Sequence, residues 1–184
     1  MNQFIEEKYR TIGKKIYLKK GRKNNSFIKK KIRVAILGGS TTGLIRESLS
    51  KYLNVNGIEG IFFESAYNQF YFEGLKPSNR LIKFKPQIVY IHSSVINIEE
   101  FPSIGSKNKE VEKIINREFN KYKSIWNNLT KKFNCTIIQN NFEYISFSSL
   151  GILESSKVYG KINFLNKINL KFFEESDKRK NLII

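Results

Sequence analysis

The sequence predicts an α/β protein, a three-layer sandwich in which helices flank an open, mainly parallel sheet of five strands. Two observations predict this class. Short β-branched runs alternate along the 184 residues with segments of helical periodicity, and such alternation requires parallel pairing through right-handed crossovers. Hydrophobic residues also make up 40% of the chain, which is enough to fill one core.

The first strand and the helix after it are the clearest pair of elements. Residues 32–37 form a β-branched run that enters a tight turn at Gly38 and Gly39. Residues 42–54 follow with apolar side chains at helical spacing, and Gly57 ends that helix.

The middle of the chain repeats this pattern with shorter elements. We predict a second strand at residues 58–63, short helical or irregular pieces at residues 67–75 and 81–84, and a third strand at residues 88–91. A polar loop follows the third strand.

The last part of the chain contains the longest helix, predicted at residues 109–132 from its single apolar face. A fourth strand is predicted at residues 135–138, a final helix at residues 161–176 and a fifth strand at residues 181–184. We expect flavodoxin-like strand order, in which ligands bind at the carboxyl ends of the strands.

The inventory of acidic and metal-binding residues excludes several classes of site. The chain has one aspartate (Asp177), one cysteine (Cys135) and one histidine (His92). It therefore cannot build the aspartate set of a haloacid-dehalogenase phosphatase, a carboxylate magnesium cage, a disulfide framework or a Cys/His zinc site. We expect no metal and no cofactor in this chain.

The formal net charge of +17 is unevenly distributed. Residues 1–33 hold 12 basic and two acidic side chains, whereas residues 34–184 hold 21 and 14. We interpret residues 1–30 as a basic extension, a short helix or coil with a Lys/Gly/Asn-rich connector, and residues 31–184 as the folded domain. Because AT-rich codon usage also inflates the lysine content, we do not expect a nucleic-acid partner.

Nothing in the sequence predicts a membrane location. No apolar run reaches the length that spans a bilayer, and Glu6 and Glu7 stand where a signal peptide would be apolar. A single free cysteine fits a reducing compartment. We expect a cytoplasmic protein without membrane contact.

The turn after the first strand is the strongest candidate site, and three interpretations of it remain open. In the first, Gly38, Gly39, Thr41 and Thr42 hold an anion, because the glycines permit close approach and the helix start presents free N–H groups. In the second, Ser40 is a nucleophile whose own N–H helps to hold an oxyanion. In the third, a hydroxyl of this turn only caps the helix.

Five segments, in this order, resemble the N-terminal domain of FkbH-like proteins, which has an SGNH-hydrolase-like fold. They are RVAILGGSTTGLIRESL (33–49), GIEGIFFESAYNQFYFEGL (57–75), FKPQIVYIHSSVINI (84–98), FNCTIIQNNFE (133–143) and GKINFLNKINLKF (160–172). The block around Ser40 is similar to the Gly-Asp-Ser block of SGNH hydrolases, in which the serine is the nucleophile.

The resemblance implies a function as well as a fold. FkbH-like proteins take a three-carbon glyceryl unit from a phosphorylated donor, release phosphate and place the acyl group on the thiol of an acyl carrier protein, for bacterial secondary-metabolite and related pathways. The dephosphorylation and its Mg²⁺ would belong to a haloacid-dehalogenase-like domain, which we expect this chain to lack. The expected partners are therefore an acyl carrier protein and a small phosphorylated three-carbon acyl donor.

The chain departs from the pattern of a working SGNH hydrolase. The Asp-x-x-His block of those enzymes follows the last strand, and we expect this chain to end within that strand. The Gly-x-Asn block is missing, and Gly39 replaces the aspartate of Gly-Asp-Ser. His92 is a candidate base for Ser40 only if the first and third strands are neighbours.

Polar residues at the other predicted strand ends complete the candidate site, although turns also favour Ser and Asn. The candidate substrate contacts there are Tyr67, Asn68, Ser93, Asn140 and Asn141. We interpret Cys135 and Trp126 as core residues without a chemical role.

These observations leave three functions open. The domain would bind or transfer an activated glyceryl-type acyl group for loading on an acyl carrier protein. Alternatively, it would dock a carrier protein without catalysis, or act as a simple SGNH-type serine esterase or deacylase with His92 as the base. We favour the first function and expect the domain to be incomplete by itself.

Overall fold

The computed structural model describes residues 30–144 and 149–184. The predicted helix or coil and connector of the N-terminal extension fall in residues 1–29, outside the described residues. The strands are β1 (Lys30–Gly38), β2 (Ile58–Glu64), β3 (Ile88–His92), β4 (Thr136–Gln139) and β5 (Leu182–Ile183). The helices are α1 (Gly43–Val55), α2 (Phe70–Leu75), α3 (Asn79–Phe84), α4 (Asn108–Phe133), α5 (Leu153–Ser156) and α6 (Lys161–Ser176), with a 3-10 turn at Val95–Asn97.

The five strands form one sheet in the order β2-β1-β3-β4-β5. Each neighbouring pair in this sheet is parallel. The predicted α/β class and the flavodoxin-like order are therefore confirmed. The predicted bounds agree to within a few residues. The sequence did not predict the short helix α5 or the 3-10 turn, because three or four residues give no periodic signal.

One side of the sheet, here called the covered face, holds the main core. Strand residues such as Leu37, Ile91 and Ile137 share one buried cluster with side chains of α2, α3, α4 and α6. Trp126 is fully buried in it, with its ring 5.0 Å from that of Phe172. The predictions that Trp126 and Cys135 are core residues are confirmed.

The other side, here called the open face, carries the alternate strand residues, because successive side chains in a strand point to opposite faces. Its residues include Ile32, Val34, Ile36, Ile88, Tyr90, Ile138 and Ile183, of which Val34 and Ile36 are buried. Among the described elements, α1 packs on this side, mainly against β2. Within the described ranges, no helix is long and apolar enough to cross a membrane.

Candidate functional site

The turn from β1 to α1 is built around two glycines that tolerate no side chain. A Cβ on Gly38 would lie 2.8 Å from the carbonyl oxygen of Ser40, and one on Gly39 would overlap the side-chain amide of Asn97. The Gly38 N–H donates to Ser65 Oγ (3.0 Å) and the Gly39 N–H to the His92 carbonyl oxygen (2.7 Å). Both glycines therefore hold the turn in place, and their own N–H groups are already used.

The start of α1 is free of a side-chain cap in the described structure. Thr42 occupies the N-cap position and makes no capping bond. Its hydroxyl donates instead to Glu64 Oε2 (2.9 Å), and Glu64 Oε1 pairs with Arg46 Nε (2.8 Å). Because the first N–H groups of a helix lack partners within the helix, this end of α1 presents donors to the carboxyl edge of the sheet.

Ser40 lies in the turn between the end of β1 and the start of α1. Its side chain is half-buried, and its hydroxyl has no hydrogen-bond partner among the described residues. Thr41 beside it is exposed. The hydroxyl of Ser40 is thus available to a ligand, whereas that of Thr42 is committed to Glu64.

Asn97 is a site residue that sequence reasoning missed. Its Oδ1 accepts from the Ser94 N–H (2.9 Å), and its Nδ2 donates to the Gly39 carbonyl (2.9 Å). The same Nδ2 donates to Asn68 Oδ1 (3.1 Å), which brings Asn68, at a left-handed φ of 55°, to the turn. The signal was the asparagine that ends the 3-10 turn after β3, but two of its partners lie 29 and 58 residues away and cannot be found from spacing.

His92 ends β3 in register with Gly38 of β1, so the condition for a role beside Ser40, that the two strands be neighbours, is met. Its Nδ1 lies 3.2 Å from the Tyr90 hydroxyl. Burial raises the pKa of Tyr90, so this partner stays a neutral phenol. A neutral phenol orients an imidazole but stabilises its charged form less than a carboxylate does.

The loops after β3 and β4 are clamped to each other. Asn140 Oδ1 accepts from the Ser93 N–H (2.9 Å), and Asn140 Nδ2 donates to the Ser93 carbonyl (2.6 Å). Gln139 Nε2 donates to Ser93 Oγ (3.0 Å), and Ser93 is fully buried. Ser93 and Asn140 therefore hold the loops together, and their contact with a substrate stays a prediction.

The structure divides the predicted site residues into two groups. Gly38, Gly39, Asn68 and His92 are joined around the Ser40 turn. Ser93 and Asn140 form the neighbouring clamp. Asn141 joins this clamp through its backbone carbonyl, which accepts from Asn140 Nδ2 (2.8 Å), although its buried Oδ1 has no partner in the described chain. The predicted contacts outside both networks are Thr41, which is exposed, and Tyr67, which is 66% exposed.

The described residues contain no group of three or more His, Cys, Asp or Glu side chains that could hold a metal ion. The edge presents hydroxyl, imidazole, amide and backbone N–H groups beside the ion pair of Glu64 and Arg46. These groups suit an anion or an acyl oxygen.

The fold is that of a flavodoxin-like α/β domain. At the carboxyl edge of its sheet, the start of α1 has no side-chain cap and follows the turn that holds Ser40. The family model for the FkbH N-terminal domain matches residues 33–184. The match covers most of the chain, and the protein therefore belongs to the FkbH N-terminal domain family.

Two solved structures are similar to this chain. The first is the N-terminal part of BF1531 from Bacteroides fragilis, which contains a phosphatase domain complexed with Mg, at 18% identity and a TM-score of 0.72. The similarity covers 88% of this chain and 42% of that one, so this chain spans less than half of the solved part of that protein. At this level of identity the similarity shows a shared fold. The second is the acetyl xylan esterase AlAXEase, at 19% identity and a TM-score of 0.48, covering 82% of this chain and 76% of that one. A comparison with curated proteins gave no match.

Proposed function

We propose that this domain binds an activated glyceryl-type acyl group, together with its phosphate, at the Ser40 turn and passes the acyl group to the thiol of an acyl carrier protein. One observation carries the proposal. The N–H groups that begin α1 have no side-chain cap, and Ser40, in the turn that leads into this helix, has a hydroxyl without a described partner. Free N–H groups at a helix start favour a phosphate or an oxyanion.

The transfer would proceed through an ester on Ser40. Ser40 Oγ attacks the acyl carbon of an acyl phosphate, its proton passes to His92 Nε2, and the bond to phosphate breaks with the electron pair leaving on the phosphate oxygen. Attack by the carrier thiolate then forms the thioester and returns the proton from His92 to Ser40. Nε2 has a lone pair for this step when Nδ1–H donates to the Tyr90 hydroxyl.

Removal of a second phosphate from the donor is outside the chemistry of this chain, since it has a single aspartate. We assign that step to a companion phosphatase. Its support is the family membership and the phosphatase domain that the Bacteroides fragilis protein contains.

Anion binding at the turn is tested with a phosphorylated three-carbon acid. In titrations of the full chain with 3-phosphoglycerate followed by amide NMR, we expect the largest shifts at residues 40–45. Gly39→Ala should weaken binding at least tenfold, because the added Cβ displaces Asn97. Ser124→Ala removes an exposed hydroxyl of α4 and is the matched control. Amide shifts that are spread over the lysines, together with an affinity for 3-phosphoglycerate that is equal in wild type and Gly39→Ala, would refute the site.

Nucleophilic chemistry is tested separately from binding. A fluorophosphonate probe should label wild-type protein and fail to label Ser40→Ala, while Ser40→Ala keeps the phosphate-induced NMR shifts. Labelling that persists in Ser40→Ala would remove the ester step and leave the binding site intact.

The acceptor would approach along the first turns of α4. Lys109 and Lys113 are exposed there, form no ion pair within the described residues, and precede Arg117 on the same side of the helix. Acidic carrier proteins are attracted by such a row. We expect the double variant Lys109→Glu with Lys113→Glu to bind the carrier protein more weakly and with a smaller dependence on salt. The control is Lys131→Glu with Lys132→Glu, at the far end of α4, which should change neither property. Equal loss in both pairs would place docking elsewhere or make it non-specific.

A simple esterase is the second candidate, favoured by the register of His92 with Gly38. It predicts hydrolysis of p-nitrophenyl acetate that is lost in both Ser40→Ala and His92→Ala. Absence of hydrolysis in a protein that is labelled at Ser40 supports the transfer function instead.

A further inference from the structure

An arginine is held beside the start of α1, and the proposed transfer does not use it. Arg46 Nε pairs with Glu64 Oε1 (2.8 Å), and Glu64 Oε2 accepts from the Thr42 hydroxyl (2.9 Å). One carboxylate at the end of β2 therefore joins the N-cap residue of α1 to a guanidinium group. This places the Arg46 side chain at the carboxyl edge of the sheet, next to the turn that holds Ser40.

Helix geometry directs this side chain toward the turn. Arg46 follows Thr42 by four residues, so the two side chains share one face of α1. Side chains on a helix lean toward its N-terminus, and the pairing with Glu64 shows this lean, because the same carboxylate also binds Thr42. The positive charge of Arg46 is therefore close to the N–H groups of residues 43–45, which have no partner within the helix.

The charge pattern at this end of α1 is the reverse of the pattern that stabilises a helix. Helix starts favour acidic side chains, because their N–H groups carry a partial positive charge. The first turn of α1 has no acidic residue, and Arg46 comes directly after it. Glu47 does not supply the negative charge, since it pairs with Lys51 (2.5 Å). Glu64 thus faces two positive groups, the helix start and the guanidinium, and an anion bound there would complete the balance.

Two of the three guanidinium nitrogens of Arg46 are available to a ligand. Glu64 occupies Nε, and neither Nη group has a partner within residues 30–144 and 149–184. The side chain of Arg46 is 51% exposed, so a ligand can reach it in the described structure. Arginine presents its N–H groups as a planar fork that matches two oxygens of a phosphate.

We infer that Arg46 is the residue by which the Ser40 turn selects acyl donors whose leaving group is a phosphate. The Nη groups bind phosphate oxygens, and Glu64 positions the guanidinium. When the bond to the acyl carbon breaks, the electron pair stays on an oxygen of the group that Arg46 holds, so the same charge favours its departure. A neutral ester gains nothing from this charge. The inference rests on the proposed function, which assigns phosphate to the turn.

The test compares a phosphorylated acid with the same acid without its phosphate. In amide NMR titrations of the full chain, wild type should bind 3-phosphoglycerate at least about tenfold more tightly than glycerate, with shifts at residues 40–45. Arg46→Gln should weaken binding of 3-phosphoglycerate about tenfold and change that of glycerate by less than about twofold. Lys51→Gln is the matched control, because it also removes a cation of α1 that pairs with a glutamate, and it should change neither affinity.

A second comparison separates a ligand contact from an ion pair that only supports the fold. Arg46→Gln and Glu64→Gln break the same pair, so they should shift the melting temperature equally. Only Arg46→Gln removes the phosphate contact, so Glu64→Gln should cost no more than about threefold in affinity for 3-phosphoglycerate. Arg46→Lys, which keeps the charge without the fork, should have an intermediate affinity.

The outcomes distinguish this inference from the function on which it rests. Shifts at residues 40–45 with equal affinities in wild type and Arg46→Gln would overturn the role of Arg46 and leave the phosphate site. Equal losses of affinity in Arg46→Gln and Glu64→Gln would make the pair structural and overturn that role as well. Absence of shifts at residues 40–45 in wild type would overturn the proposed function, and the inference with it.

Discussion

The two faces of the sheet are built from alternate residues of the same strands, yet they differ in how completely they are packed. On the covered face, Trp126, Tyr122 and Phe172 are fully buried, with ring centroids 5.0 to 6.4 Å apart. On the open face, α1 has no buried residue. The strands supply apolar side chains to both faces, so the difference comes from the helices.

The cause is the direction in which the chain crosses the sheet. From β1 the chain moves to one edge to form β2, and all later strands are added on the other side of β1. Because crossovers between parallel strands are right-handed, a reversal of direction places α1 on one face and the later connections on the other. The number of helices on each face thus follows from the strand order.

The largest expected effect lies in the aromatic cluster of the covered face. Trp126→Ala should lower the free energy of unfolding by about 3–5 kcal/mol, because it leaves a large cavity among rigid neighbours. The matched pair is Leu129→Ala on α4 and Leu49→Ala on α1. The second change should cost less than half as much as the first, since Leu129 is fully buried and Leu49 is only partly buried. Urea unfolding of the three variants measures these values. Equal losses in the matched pair would show that the open face is as tightly packed as the other.

The next effect is at the edge where both faces meet. Gly39→Ala should cost about 1–3 kcal/mol, because the added methyl group overlaps the Asn97 amide. Asn97→Ala removes the obstacle as well as three hydrogen bonds, so the double variant should be more stable than the sum of the single losses predicts. A double-mutant cycle measures this coupling, and strict additivity would contradict the contact.

A third, smaller effect is the loss of folding stability at acid pH that comes from protonation of Glu175, on the covered face. Burial alone would raise its pKa, but hydrogen bonds from Arg179 and Lys123 outweigh burial and hold the pKa below the usual 4.5. A carboxyl group with a lowered pKa stabilises the fold above pH 4.5, and this contribution is lost as the pH falls through the folded-state value. Glu175→Gln should therefore cost about 1.5 kcal/mol at pH 7 and flatten the loss of stability below pH 4.5. An unchanged acid profile would show that the two cations do not hold this carboxylate.

The smallest effect is expected at Glu118, and it has the opposite sign. This side chain is fully buried, and Oε1 has no partner in the described residues. Burial raises its pKa, against the nearby Lys121, so the carboxylate is destabilising once the pH rises above the unfolded-state value. Glu118→Gln should leave the melting temperature at pH 7 unchanged or raise it by up to about 4 °C, and a clear decrease would show that the pair with Lys121 is net stabilising.

Much of the fold could be predicted, and less of the candidate site. The long helix was found to within one residue at each end, because α4 repeats an apolar face over 26 residues. The turn around Ser40 was found because glycines between a strand and a helix are a local signal. Asn97, Glu64 and Gln139 were not identified, since each acts on a residue distant in sequence.

The sequence alone determined the α/β class, the order of the elements, the Ser40 turn and the absence of an aspartate set for phosphatase chemistry, because each is a local pattern or a count. The tertiary structure confirmed the expected strand order and decided the register of the strands, which places His92 opposite Gly38. It also decided that Thr42 serves Glu64 and leaves the start of α1 uncapped. Hydrogen bonds and burial depend on distances in space, and only the folded chain sets those distances.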